Sequence, residues 1–454
     1  MTSIQSPLNA PSSRETPFDQ TDKPLRQSSV FERLADTRQL SLELARPLTD
    51  EDQMVQASDD ASPTKWHLAH TTWFFESFIL SAHLPGYKPF SDAFEYCFNS
   101  YYEAKGDRHP RASRGLLTRP SAQEVRSYRA YVDEALNELA QTNKAATPEL
   151  QNLIELGINH EQQHQELLLT DILALFALQP LKPAYVECQT SQPPPTAAQS
   201  TALKGQHTPS SSTNVRFDGG IYAIGHEGRT FSYDNEGPRH DTLLRPFRMA
   251  NRLITNAEWL AFMSDGGYTD HRLWLADGWA WLKANAVNAP GYWELKDGVW
   301  HQMTLHGLVQ PNPKSPVTHI SYYEADAFAK WAGARLPTET EWEVATSKAR
   351  LSQPNTLATQ TFAPQPAPAP SGGLIDQMFG DVWEWTVSPY TPYPGYRPPD
   401  GAVGEYNGKF MCSQQVLRGA SCATAPNHSR PTYRNFFYPY QRWQFMGLRL
   451  AEDS

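Results

Sequence analysis

The chain is 454 residues long, with a net charge of −10 from 39 Lys+Arg against 49 Asp+Glu. That acidic balance excludes a general nucleic-acid binder, which neutralises phosphate with a basic surface. No run approaches the ~20 apolar residues of a membrane-spanning helix, so no membrane partner is expected.

Four cysteines, Cys97, Cys188, Cys412 and Cys422, are too few for a disulfide scaffold. The polar N-terminus lacks the apolar core of a signal peptide, so the expectation is a soluble, cytoplasmic protein. Abundant aromatics (13 Trp, 20 Tyr, 20 Phe) beside 37 Pro point to a loop-rich fold with aromatic-lined pockets.

Residues 1–28 are rich in Ser, Thr, Pro and Gln and are expected to be disordered. Residues 29–185 read as helical. VFERLADTRQLSLELARPL is amphipathic. Ser62-Pro63 predicts a helix start, with Ser as cap, before TKWHLAHTTWFFESFIL. Further helices run through SAQEVRSYRAYVDEALNELA and TPELQNLIELGINHEQQHQELLLTDILALFAL, and four such helices suggest a bundle. The Pro/Ser/Thr/Gln-rich stretch 186–214 reads as a linker. Residues 215–454 read as a mixed α+β domain, with helices in NAEWLAFMSDG, SYYEADAFAKWAG and TETEWEVATSKA. The low-complexity stretch 352–373 is expected to be a surface insert without function.

The sharpest chemical signal is His160-Glu-Gln-Gln-His164. On a helix, i and i+4 side chains leave one face, so both imidazoles reach a single cation. Leu153, Leu156, Leu167 and Leu168 put that face on the apolar stripe pointing into the bundle. On the earlier helix, Trp66, His70, Trp73 and Phe74 share a stripe, which turns His70 inward and leaves His67 to one side, as a surface residue or a support of the site. His70, His160 and His164 together make a three-histidine face with positions open for substrate and oxygen. Two other readings of these histidines stand at this point. One is a zinc protease with Glu161 as general base, which needs a third ligand; the best carboxylate, Glu187, lies beyond Pro180 and Pro183. The other is a metal-stabilised binding module without catalysis.

The motifs WHLAH and HEQQHQE, the latter a His-x3-His-x-Glu ending in Glu166, resemble those of DinB-like helical bundles. ITNAEWLAF, SPVTHISYYEADAFAKWAGARLPTETEWE, FGDVWEWTVSPY, LRGASC and RPTYRNFFYPYQRWQFMGLRLA resemble a formylglycine-generating-enzyme/sulfatase-modifying domain with a C-type-lectin-like core. In this order the set resembles the hercynine oxygenases, the sulfoxide synthases of ergothioneine biosynthesis.

The resemblance implies a two-domain α+β fold and an iron(II) enzyme that uses dioxygen to join a cysteine sulfur to C2 of the hercynine imidazole, giving a sulfoxide. His70, His160 and His164 match the iron ligands. Tyr101 and Tyr102 match the tyrosine pair of the cysteine-using branch, where a phenol donates a proton. Arg111 and Arg114 match the arginines that hold the thiol substrate, a guanidinium fork suiting a carboxylate. Asn435 and Gln163 match hercynine-contacting positions. Phe436 and Phe437 are candidates to line the trimethylammonium end, since a quaternary cation gains from ring faces.

Phe437 stands where the actinobacterial branch has an Asp that helps to bind γ-glutamylcysteine, which favours free L-cysteine here. Tyr390, Tyr393 and Tyr396 are candidates for the tyrosine that branch carries in its second domain. Cys412 and Cys422 lack the context of a copper-binding cysteine pair and read as two buried small hydrophobes. An ovothiol-type synthase shares both domains and remains the nearer competitor.

Overall fold

The computed structural model describes residues 29–186, 214–351, 353–369, 372–400, 404 and 407–454. The tail expected over 1–28, nearly all of the linker expected over 186–214, and Glu187 lie outside these residues.

Helices α1 (Val30–Ala45), α2 (Thr64–Phe74), α3 (Ser81–His83), α4 (Ala93–Phe98), α5 (Ala122–Ala140) and α6 (Pro148–Leu178) build the first half. In it α6 packs on α1 and α2, and α2 on α5. The termini follow local chemistry. Ser29 and Glu32 form a capping box at α1, Ser121 and Glu124 form one at α5, and Pro148 occupies the first turn of α6.

The expected Ser62 cap is corrected: Pro63 takes that position without a side-chain bond. Ser62 is engaged elsewhere. Its N–H donates to Asp171 Oδ2 at 2.7 Å and its hydroxyl accepts from Arg114 Nη1 at 2.9 Å.

After Phe74 the helix widens into a π-helical stretch, Phe75–Leu80, a distortion often found beside functional sites. Across from it, Gly157 of α6 leaves room for two rings. A Cβ there would lie 2.5 Å from Phe75 Cε1 and 3.1 Å from Phe74 Cε1. The close approach brings α2 against α6 one turn before His160. Trp66, Trp73, Phe74, Phe75, Leu150 and Ile154 are all buried in this seam, each contributing about 1.5–3 kcal/mol by leaving water.

The second half is mixed. It holds β1 (Asn214–Phe217), β2 (Gly220–Ile224), β3 (His240–Leu244), β4 (Phe247–Ala250), α7 (Asn256–Ser264), α8 (Ala276–Ala284), β5 (Trp293–Lys296), β6 (Val299–Thr304) and β7 (Gly307–Val309). There follow α9 (Tyr322–Trp331), α10 (Glu339–Ala345), β8 (Trp383–Pro389), β9 (Gln415–Gly419), β10 (Asn435–Phe437), β11 (Met446–Gly447) and β12 (Ala451–Asp453). Among the described residues the sheets run β1-β4-β12, β10-β9-β8-β11, β2-β3 and β5-β6-β7.

The three expected helices are α7, α9 and α10, each opened by a capping box. Helix α8 is not expected from the sequence, because its nine residues contain Gly278 and bury only Gly278 and Leu282, so no apolar stripe marks it. In the four-stranded sheet, β10 pairs antiparallel with β9, which sets Asn435, Phe436 and Phe437 on its edge. Glu384 of β8 meets the buried Arg449 at 2.9 and 3.0 Å, a paired charge that an apolar core tolerates only when its hydrogen bonds are made.

The second half of α6 enters this domain. Leu168, Leu169, Ile172, Leu173 and Phe176 share one buried cluster with Met303, Leu305, Cys422 and Phe445. The insert expected at the surface lies there for the most part but is anchored at one point. Leu357 is buried in the same cluster, and Asn355 Nδ2 and Gln365 N–H both donate to Asp381. No helix among the described residues is long and apolar enough to cross a membrane.

Candidate metal centre

His70 comes from α2, and His160 and His164 from α6. Their ring centroids lie 4.7 Å (His70–His164), 4.7 Å (His160–His164) and 5.0 Å (His70–His160) apart, with steep planes. The Nε2 atoms of His70 and His160 are 3.2 Å apart, and one nitrogen from each of the three rings lies within 4.8 Å of the others.

The rings are held before any ion arrives. His70 is sandwiched between Trp66 (4.5 Å) and Trp73 (5.6 Å), and its Nδ1 donates to the Phe98 carbonyl at 2.6 Å, which turns Nε2 to the centre. Burial pushes His160 down to about 3. It also holds His70 and His164 well below the usual histidine value, with the neighbouring imidazoles adding to the shift. Neutral rings keep their lone pairs, so the donor set fits a divalent transition metal. His67, expected to one side of the helix, is buried, and its Nδ1 lies 2.9 Å from His164 Nδ1.

The two acidic residues of HEQQHQE do not join the centre. Glu161 is fully buried on the other side of α6, where it accepts from Arg129, from Arg38 (3.4 Å) and from Ser41 Oγ (2.6 Å). Burial opposes its charge, yet the two guanidiniums hold it below the usual carboxylate range. A carboxylate so enclosed is not a protease's general base. Glu166 accepts from Trp383 Nε1 (2.8 Å), Ser421 Oγ (2.5 Å) and Thr424 Oγ1 (2.8 Å), all in the second domain.

A cavity of about 400 Å³ between the two halves reaches His160 and His164, while the fully buried His70 lies behind them. A larger groove of about 1350 Å³ runs along α1, α6 and residues 228–234, but none of the three histidines lines it. Of the sequence candidates, Tyr101, Arg111, Arg114, Gln163, Asn435, Phe436 and Phe437 line the smaller cavity.

Tyr102 does not. It is buried behind Tyr101 against Phe78 (5.0 Å) and Trp73 (5.8 Å), with the two phenol oxygens 3.5 Å apart. Arg114 is buried with its guanidinium 3.4 Å over the Trp66 ring, and it donates to Ser62 Oγ and Ser100 Oγ. Burial, then Arg111, lowers its basicity. Arg111 is exposed at the rim and donates to the Asp60 carbonyl. Gln163 donates to Tyr433 OH at 2.7 Å, Phe436 stacks on Tyr390 at 4.1 Å, and Phe437 meets Trp443 edge-on at 5.4 Å.

Tyr390, Tyr393 and Tyr396 do not open on the cavity. They bond Asn235, Glu339 and Asp234 respectively, within the second domain. Cys422 is buried as expected, but Cys412 is exposed, which corrects the reading of two buried cysteines.

The cavity also has walls that the sequence reading did not single out: Asp171, Tyr433, His428 and Trp443. Asp171 carried a usable signal. It lies seven residues, two helical turns, beyond His164 and so on the same face of α6.

Residues 33–168 match the family model of the DinB superfamily, and residues 199–454 match that of the sulfatase-modifying factor enzyme 1-like domain. The chain is 32% identical over 450 residues to the hercynine oxygenase of Mycolicibacterium smegmatis, covering 94% of this chain and 99% of that one. It is 34% identical over 418 residues to the hercynine oxygenase of Mycobacterium tuberculosis, covering 86% and 91%. The formylglycine-generating enzyme of Streptomyces coelicolor is 28% identical over 304 residues, covering 58% of this chain and 93% of that one. A DinB-like helical half that carries the histidines, a sulfatase-modifying, C-type-lectin-like half that closes the cavity, and likeness over nearly the full length agree: the chain belongs to the hercynine oxygenase family.

Proposed function

We propose that this protein is a non-haem iron(II) sulfoxide synthase of ergothioneine biosynthesis. It joins the sulfur of L-cysteine to C2 of hercynine with dioxygen. The observation that carries the reading is the convergence of His70, His160 and His164 beside a cavity whose other wall is the second domain.

Ferrous iron held there supplies redox chemistry with dioxygen, which redox-silent zinc does not. The balance fits: forming the C–S bond removes two electrons, oxygenating sulfur removes two more, and one O2 accepts all four, leaving one oxygen on sulfur and one in water.

The chain's own residues bind and orient. Arg114 lines the cavity with its Nε making no hydrogen bond to the described residues, and Arg111 stands at the rim; both suit the cysteine carboxylate. Gln163 and Asn435 offer amides to the hercynine imidazole and carboxylate. The ring faces of Phe436 and Phe437 suit its trimethylammonium group. With Phe437 apolar, nothing at that position recognises an extra γ-glutamyl group, which favours free cysteine. Tyr101, whose side chain reaches the cavity, is the proton donor, and Tyr102 supports it from behind. Substrates of this kind are those of a cytoplasmic enzyme.

The test is anaerobic Fe(II) loading followed by O2 with hercynine, in parallel with L-cysteine and with γ-glutamylcysteine, and mass spectrometry of the products. The expected result is the hercynyl-cysteine sulfoxide from L-cysteine. A sulfoxide formed only from γ-glutamylcysteine overturns the choice of thiol. A product linked at the other imidazole carbon favours the ovothiol-type reading. Absence of any adduct leaves the non-catalytic binding module.

A further inference from the structure

The ligand His164 is tied on its outer side to a chain of buried groups that leads into the second domain. His164 Nδ1 lies 2.9 Å from His67 Nδ1, and His67 Nε2 lies 3.0 Å from Asp171 Oδ2. Asp171 also accepts from the backbone N–H of Ser62 at 2.7 Å and, through Oδ1, from the indole N–H of Trp443 at 3.0 Å.

The proton positions follow from who can donate. A carboxylate facing two fixed N–H donors accepts again, so His67 carries its hydrogen on Nε2 and presents a bare Nδ1. That nitrogen accepts from His164 Nδ1–H, which leaves the His164 Nε2 lone pair for the centre. The links come from three segments: His67 from α2, His164 and Asp171 two turns apart on α6, and Trp443 from the segment between β10 and β11.

We infer that His67 and Asp171 are positioning residues that fix the tautomer and orientation of His164 for metal binding, and that Trp443 makes this support depend on the docked second domain. The inference rests on the three-histidine reading of the site. A ligating imidazole whose other nitrogen is hydrogen-bonded is oriented and made a better donor, and losing such a partner weakens metal binding about 10–100-fold. His67, Asp171 and Trp443 also border the cavity, so the relay runs along the wall of the site.

Metal binding tests this apart from turnover. The full-length protein is stripped of metal and titrated with Co(II) against a chelator. Cu(II)-loaded samples then report the remote imidazole nitrogens by pulsed EPR. His67→Leu should weaken Co(II) binding by about 10–100-fold and shift the coupling of one remote nitrogen, whereas His67→Asn, which keeps a carbonyl acceptor near that position, should restore much of the affinity. Trp443→Phe keeps the ring beside Phe437, removes only the N–H to Asp171, and should weaken binding by a smaller factor. It decides the question if His67→Leu does not fold.

Unchanged affinity and unchanged remote-nitrogen coupling in both variants overturn the relay. A wild-type protein that takes up no Co(II), or that binds it equally well with His160→Ala, instead overturns the metal centre itself. The two failures are thereby distinct.

Discussion

Trp383 of β8 donates its indole N–H at 2.8 Å to the carboxylate of Glu166, two residues beyond His164 on α6. The final carboxylate of the His-x3-His-x-Glu motif therefore binds the second domain and not the centre. Glu166→Leu strands the Trp383, Ser421 and Thr424 donors in a buried contact. Each unsatisfied group costs roughly 1–3 kcal/mol, so a total loss of at least about 3 kcal/mol is expected. Glu166→Gln, which keeps one oxygen acceptor, should lose less. Urea denaturation measures the loss, and iron content should stay at the wild-type level in both folded variants.

Gly157 sets the approach of α6 to α2. In Gly157→Ala the new methyl meets Phe75 at 2.5 Å and Phe74 at 3.1 Å, and the Phe74 ring lies 4.9 Å from that of His160. Overpacking of this kind costs about 1–3 kcal/mol. The expected outcome is a lower melting temperature together with weaker metal binding, because relief of the clash moves a ring that packs on His160.

The two tyrosines should separate cleanly. Tyr101 lines the cavity, while Tyr102 is buried behind it. A positioned general acid contributes about 10²–10⁴ in rate. Tyr101→Phe should therefore slow C–S coupling by about a hundredfold or divert cysteine to sulfinate, with metal affinity intact. Tyr102→Phe should cost less than about tenfold. Product ratios by mass spectrometry read both effects, and a larger effect at Tyr102 would contradict the assignment.

Burial pushes His319 and His428 down to about 3, Arg430 adding to the shift of His428. Their folded values lie below the ordinary 6.5, so between 6.5 and about 3 the unfolded chain binds more protons. Stability from this source is complete above 6.5 and falls as pH falls, by up to about 1.4 kcal/mol per pH unit for each group. The urea midpoint of the metal-free protein should drop steadily as the pH is lowered from 6.5, and His428→Gln should make the decline shallower. A midpoint independent of pH across this window would contradict the assignment.

Much of the centre is legible in the sequence because helices are periodic. The aromatic stripe through Trp66, His70 and Trp73 marks the inward face of α2, and the i, i+4 spacing brings His160 and His164 together. Of the four leucines around them, by contrast, only Leu168 is fully buried, and Leu153, Leu156 and Leu167 are half-buried. Capping pairs such as Ser29 with Glu32 are equally local.

What the sequence does not disclose depends on partners far along the chain or on segments without a period. Glu166 meets residues more than two hundred positions away. Tyr101 and Tyr102 sit on an irregular stretch where neighbours part company without a rule. The Ser62 cap yields because Asp171 and Arg114 compete for its backbone and hydroxyl. The insert is anchored by Asp381 and by the cluster around Leu357, neither of which its composition announces.

The most direct test of the account is nitric oxide binding to the anaerobic Fe(II) protein, followed by EPR. A ferrous ion held by three imidazoles would keep coordination positions open, so the wild-type protein should give the signal of one ferrous nitrosyl centre per chain, and His160→Ala should give none. A protein that binds iron but no nitric oxide, or a signal that survives in His160→Ala, would contradict it.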